Sequence, residues 1–70
     1  MNAKELTVEL IRHGLSIPEA ANRIGIGKKA FYSKLRGESQ FKLCEIQRLK
    51  ELLSLSMERT SEIFFADNVS

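Results

Sequence analysis

The sequence predicts an all-α fold, a compact bundle of five short helices. Three observations predict it. Glycines at 14, 25 and 37 divide the chain into segments of helical length. Apolar residues inside those segments recur at i, i+4 spacing, as in Leu6/Leu10 and Phe31/Leu35. No stretch of useful length alternates apolar and polar residues as a half-buried strand would, and there is no internal repeat. Seventy residues allow one domain, expected over 1–65, with 66–70 as a frayed tail. A chain this short buries only about 60% of its unfolded surface, which leaves little room for a catalytic cleft.

Each helix has its own signals. Asn2 is placed to cap the first, with Glu5 as a capping-box partner. Leu6 and Leu10 form the inner face of that helix, widened by Val8 and Ile11; Gly14 stops it and Leu15 folds back onto the core. The second opens on Ser16-Ile17-Pro18-Glu19, a capping serine, a first-turn proline and a capping-box glutamate. Ala20, Ala21 and Ile24 supply its inner face before Gly25. The third runs from about Lys28 to Arg36 and ends at Gly37. Glu38 to Gln40 is a loop and Phe41 plugs the core. The fourth, about Leu43 to Leu53, carries Leu43, Ile46, Leu49, Leu52 and Leu53. Ser54 or Ser56 opens the fifth, about Met57 to Phe65, anchored by Ile63 and Phe64.

The formal net charge is +2, but it is unevenly spread. Residues 1–22 are net −1 and residues 43–70 net −2. Residues 23–42 hold Arg23, Lys28, Lys29, Lys34, Arg36 and Lys42 against Glu38 alone. A basic middle between acidic flanks points to a polyanionic partner at one face; the plainer reading is a solvated helix surface. The scattered glutamates read as solvated helix-surface residues. One cysteine, Cys44, excludes an internal disulfide and reads as a small apolar helix residue. The single histidine, His13, has no second ligand nearby and reads as a helix-terminal cap. The serines lack a histidine–acid partner pattern, and Gly25-Ile26-Gly27 follows no strand, so neither nucleophilic catalysis nor a dinucleotide site is expected. No enzyme activity, cofactor, metal or small-molecule ligand is expected. No apolar run approaches the roughly 18 residues of a membrane span, and the expected location is cytoplasmic.

The informative stretch is Ser16 to Gly37, two short helices meeting across Gly25-Ile26-Gly27. Ala21 is small where the helices approach, and Gly25 permits a left-handed turn. Ile24, Ile26, Phe31 and Leu35 pin the pair to the remaining helices. These are the requirements of a helix-turn-helix whose second helix protrudes. The chain resembles the Xre-type, lambda-repressor-like helix-turn-helix family, which is rich in phage repressors and Cro proteins. The residues that carry the likeness are Gly14-Leu15-Ser16, Glu19, Ala20-Ala21, Ile24-Gly25-Ile26 and Phe31, then Lys34-Leu35-Arg36-Gly37, Ser39, Phe41, Leu55-Ser56 and Ile63-Phe64-Phe65. The resemblance implies four or five packed helices, transcriptional regulation of phage or prophage type, and binding to operator DNA as a dimer. Two positions depart from the family pattern: Ile17 stands where a phosphate-touching glutamine is common, and Gly27 where Ser or Thr opens the recognition helix. Gly27 still offers its backbone N–H to a phosphate.

Helix geometry selects the DNA-facing residues. At about 100° per residue, Phe31 and Leu35 set the buried direction, so Lys29, Ser33 and Arg36 project oppositely, flanked by Lys28 and Tyr32. Lys28, Lys29, Tyr32 and Ser33 are therefore the expected base readers, and Lys34, Arg36 and Lys42, with Gly27, the expected phosphate contacts. One helix covers about half of an operator, so a weak homodimer on a palindromic site is expected. The surplus apolar residues Ile63, Phe64 and Phe65 are its expected contact. The other reading is a helix-turn-helix scaffold that holds a protein partner, as an antitoxin or assembly adaptor would; an acidic or apolar third-helix surface would have favoured it.

Overall fold

The structure is a computed structural model that describes residues 1–65; the expected tail, 66–70, lies outside the described residues. Its elements are α1 (Ala3–Arg12), α2 (Ile17–Ile24), α3 (Lys28–Leu35), α4 (Leu43–Leu52) and α5 (Met57–Phe64), with no strand among the described residues. The all-α expectation is met, and the helix boundaries agree with the sequence reading to within a residue or two.

The helix starts follow the capping chemistry. Asn2 Oδ1 accepts the Glu5 N–H at 3.3 Å. The second half of that capping box is not made: the Glu5 carboxylate reaches Arg59 instead, and the Asn2 N–H donates to the Ile63 carbonyl at 2.6 Å. That bond ties the start of α1 to the end of α5. At α2 the box is complete, with Ser16 Oγ accepting from the Glu19 N–H and the Ser16 N–H donating to Glu19 Oε1 at 3.1 Å. Ser56, rather than Ser54, caps α5 by accepting the Arg59 N–H at 3.0 Å.

The helix ends share one device. After α1, α2, α3 and α4 the chain places one residue in the left-handed region: Gly14, Gly25, Gly37 and Ser54. The next N–H then reaches back five residues, in the bonds Leu15 to Leu10, Ile26 to Ala21, Glu38 to Ser33 and Leu55 to Lys50. This satisfies a last-turn carbonyl and reverses the chain. In three of the four closures the donor is apolar, so Leu15, Ile26 and Leu55 fold back onto the core. Ser54, at φ 51°, is the one non-glycine among the described residues with positive φ.

Phe31 lies at the centre of the core with Leu6, Leu10, Ile24, Leu49, Leu53 and Ile63, all essentially inaccessible. Phe41 bridges Phe31 and Phe64 through edge-to-face contacts at 5.3 and 5.7 Å between ring centres. α2 packs on both α3 and α4, while α5 packs on α1 and α4.

Four expectations need correction. Ile11 does not widen the α1 stripe: it is 70% exposed, because one residue beyond Leu10 turns it about 100° off the inner face. Leu43 is 73% exposed, because the first turn of α4 precedes the point where Ile46, Leu49 and Leu53 meet the core. Not all the glutamates are solvated: Glu9 and Glu45 are buried, each beside a basic side chain that neutralises it. Cys44 is a free, exposed cysteine, so it contributes no core packing.

Candidate nucleic-acid interface

α3 is rooted by one side chain and exposed along much of the rest. Phe31 is buried, Leu35 half-buried, and Lys28, Lys29, Ala30 and Tyr32 are exposed. The helix starts at Gly27, whose backbone is extended and whose carbonyl accepts the Phe31 N–H at 3.1 Å. With no capping side chain, nothing from position 27 covers the first-turn amide groups. Lys28 and Lys29 stand in that same turn.

The pairing of charges separates the basic residues into two sets. Arg12, Lys34, Arg36 and Arg59 each have a carboxylate within 4 Å. No ion pair among the described residues involves Lys28, Lys29, Lys42, Arg23 or Arg48; Lys4 and Lys50 also have none. Two of these are partly compensated at longer range. Glu19 is held below the usual carboxylate range chiefly by the Ser16 backbone N–H and hydroxyl, with a smaller contribution from Arg23. Lys42 acts similarly on Glu45. Neither Lys28 nor Lys29 contributes to the lowering of Glu19, Glu38 or Glu45.

The other expected contacts are distributed unequally. Lys42 is exposed at the start of α4, and its backbone N–H donates to Glu45 Oε1 at 2.8 Å. Arg36 is exposed and grips Glu38 through two bonds of 3.0 and 3.1 Å. That pair raises the Arg36 guanidinium and lowers the Glu38 carboxyl, to which the Ser33 hydroxyl also contributes. Ser33 itself is only half-buried.

Lys34 is placed differently from the sequence expectation. Its side chain is 10% exposed and its ammonium donates to Glu45 Oε1 at 2.9 Å and to the Gln40 carbonyl at 3.2 Å. It also lies over the Phe41 ring, 5.7 Å from its centre. Burial alone would raise the Glu45 carboxyl, but Lys34 and the Lys42 N–H outweigh it and hold it below its ordinary value. Lys34 therefore fastens the α3–α4 loop and does not stand on the surface as a phosphate contact would. The spacing of eleven residues between Lys34 and Glu45 carries no local sequence signal, which is why helix periodicity missed it.

The expected dimer patch also breaks up. Ile63 and Phe64 belong to the core of their own chain, and Phe65 alone is exposed, at 37%. Phe65 helps line a groove of about 540 Å³ whose wall is mixed: Leu35, Phe41 and Phe64 are apolar, while Lys34, Arg36 and Gln40 are polar. This groove lies at the C-terminal end of α3, away from Lys28.

Two arginines of structural consequence were not legible beforehand. Arg59 bonds Glu5 at 2.6 Å, Glu9 at 2.8 Å and Glu62 at 3.3 Å, fastening α5 to α1. Arg48 donates to the Ile24 carbonyl at 2.9 Å, joining α4 to the end of α2. Among the described residues no group of three His, Cys, Asp or Glu is arranged to hold a metal, and no helix is long and apolar enough to cross a membrane. No family model, curated protein or solved structure matches this chain.

Proposed function

We propose that this chain is a sequence-specific double-stranded-DNA-binding regulator that docks α3 in the major groove, in the manner of the phage and prophage repressors it resembles. The observation that carries the reading is the state of Lys28 and Lys29. They are exposed in the first turn of α3 with no carboxylate within ion-pair distance, in a protein that pairs Arg12, Lys34, Arg36 and Arg59. Unpaired cations on a protruding helix gain most from a polyanion, because phosphate neutralisation releases condensed counterions. An α-helix with its side chains is roughly 10–12 Å across, which fits a major groove about 12 Å wide.

Lys28 and Lys29 are the guanine-reading candidates, since a lysine donates to O6 and N7. Tyr32 packs on a thymine methyl or bonds a phosphate, and Ser33 completes the base-reading set by rotating its hydroxyl. Lys42 and the Gly27 N–H take phosphates. Arg36 joins them by exchanging Glu38 for a phosphate, at little cost because an exposed pair is weak. Lys34 has no part in the contact. Two copies on a palindromic operator double the recognised sequence, and Phe65 is the contact between them.

Selection from a random duplex library followed by salt titration tests the reading. An enriched palindrome is expected. With roughly 3–5 phosphates per protomer, the log–log salt slope of the dimer falls on the order of −5 to −9. No enriched motif together with a flat salt response contradicts the proposal, and capture of a protein partner by the α3 face in its place favours an interaction module.

A further inference from the structure

We infer that Arg48 is a positioning residue: from α4 it clamps the turn between α2 and α3 and so sets the angle at which α3 is presented. The inference extends the DNA-binding reading, but its structural half stands without it.

Four features meet at this point. The Arg48 Nη1 donates to the Ile24 carbonyl at 2.9 Å, across 24 residues of sequence. Ile24 is the last residue of α2, so the guanidinium sits at the negative end of that helix, where a cation is favoured. Arg48 has no carboxylate partner, unlike Arg12, Arg36 and Arg59, so the backbone carbonyl is its only hydrogen-bond acceptor among the described residues. Gly25, the next residue, is left-handed at φ +83°, and a Cβ added there would lie 3.2 Å from Arg48 Nη1. The left-handed turn is what calls for glycine at 25, and the 3.2 Å distance shows how closely the guanidinium sits over that turn.

The consequence for α3 follows from the chain path. Only Gly25, Ile26 and Gly27 separate the clamped carbonyl from Lys28. Two of those three are glycines, which constrain direction poorly on their own. Ile26 is held by its N–H to the Ala21 carbonyl at 2.9 Å and by half-burial against the core. Arg48 supplies the third restraint, and it comes from α4, whose N-cap is Lys42. One side chain therefore couples the placement of Lys28 and Lys29 to that of Lys42.

The test is Arg48→Met, which keeps the aliphatic stem and removes the donors, with Lys50→Met as a control for lost charge on the same helix. Two readouts separate the clamp from the DNA reading. Amide hydrogen exchange of the free protein should quicken at Gly25 and Ile26 in Arg48→Met and stay unchanged at Leu6 and Leu10. On the selected duplex, specific affinity should fall roughly three- to tenfold while non-specific affinity and the salt slope hold, because a misdirected helix loses register and keeps its charges. If the wild-type chain binds no duplex yet the exchange quickens, the clamp stands and the DNA reading falls. Unchanged exchange at Gly25 and Ile26 overturns the clamp. A parallel loss of specific and non-specific affinity with a salt slope shallower by about one also overturns it, because Arg48 would then be a phosphate contact.

Discussion

Arg59 and Lys29 are both basic residues on eight-residue helices, yet the first has three carboxylates around it and the second has none. The α1–α5 seam is closed on itself. Arg59 holds Glu5, Glu9 and Glu62, Arg12 lies 3.7 Å from Glu9, and the Asn2 N–H is spent on Ile63. Hydrogen bonds to Glu5 and Glu9 raise the Arg59 guanidinium far above its ordinary value. The α2–turn–α3 unit is built the other way, with charge left unpaired on a helix that Phe31 and Leu35 hold from one side. A charge satisfied inside the molecule adds rigidity and has little to offer a partner; an unsatisfied one on a rigid mount is available for binding. The contrast sets the Arg59 cluster, which acts as scaffold, against the first turn of α3, the proposed recognition surface. It does not divide the whole domain, since among the described residues Lys4 on α1 has no ion pair and Lys34 on α3 has one.

The largest expected effect comes from removing the mount. Phe31→Ala deletes the one fully buried side chain of α3 and one side of the Phe41 contact, costing about 3–5 kcal/mol. For a domain of this size that is much of the total stability. Circular dichroism and DNA binding should disappear together. A variant that stays helical while losing only binding would mean that α3 is not rooted through Phe31.

Next come the unpaired lysines. Lys28→Ala and Lys29→Ala should each weaken specific binding by about 1–3 kcal/mol and relax preference at one base position. Their melting temperatures should hold, since an exposed residue without a partner changes stability by only ~0.5 kcal/mol. Lys34→Met should give the reverse pattern. Leaving Glu45 buried without its ammonium costs about 1–3 kcal/mol of stability, while affinity per folded molecule and the salt slope stay at wild-type values. Equal behaviour of Lys34 and Lys29 in both assays would erase the distinction between paired and unpaired cations.

The contrast in Lys34 also marks what the sequence made legible. The basic stretch was visible as a composition, and the capping serine, the proline and the glycines placed α2 and its turn. Which cations face outward depended on partners far along the chain: Glu45 for Lys34, Glu5 and Glu9 for Arg59, and a backbone carbonyl for Arg48. Local periodicity holds no information about such pairs. Ile63 and Phe64 are legible as the anchors of the fifth helix, and both are buried, Phe64 against Phe41; counting them as dimer surface as well assigns the same side chains twice.

The Lys34–Glu45 pair that fastens α3 to α4 should respond to acid in a defined window. Glu45 titrates below its ordinary value of 4.5 in the folded state. Its stabilising contribution is therefore fully present above that value and lost as pH falls through the lowered one. Urea unfolding across that range should show a drop that Glu45→Gln flattens. An unchanged acid limb in the variant would remove Glu45 as its cause.

The smallest effect is a gain. Ser54 holds the left-handed position that glycine fills after the first three helices. Ser54→Gly should add up to ~1 kcal/mol by relieving that backbone strain, with no effect on DNA affinity. Destabilisation on thermal melting would show that the Ser54 side chain supports the turn.

The central claim is that binding belongs to the first turn of α3, where Lys28 and Lys29 have no ion pair among the described residues. It is tested most directly by titrating the isotopically labelled protein with its selected duplex and following backbone amide shifts. The account predicts large perturbations over Gly27 to Ser33 and at Lys42, with Glu5, Glu9 and Arg59 nearly silent. Perturbations centred on Glu5, Glu9 and Arg59, with Gly27 to Ser33 silent, would contradict it.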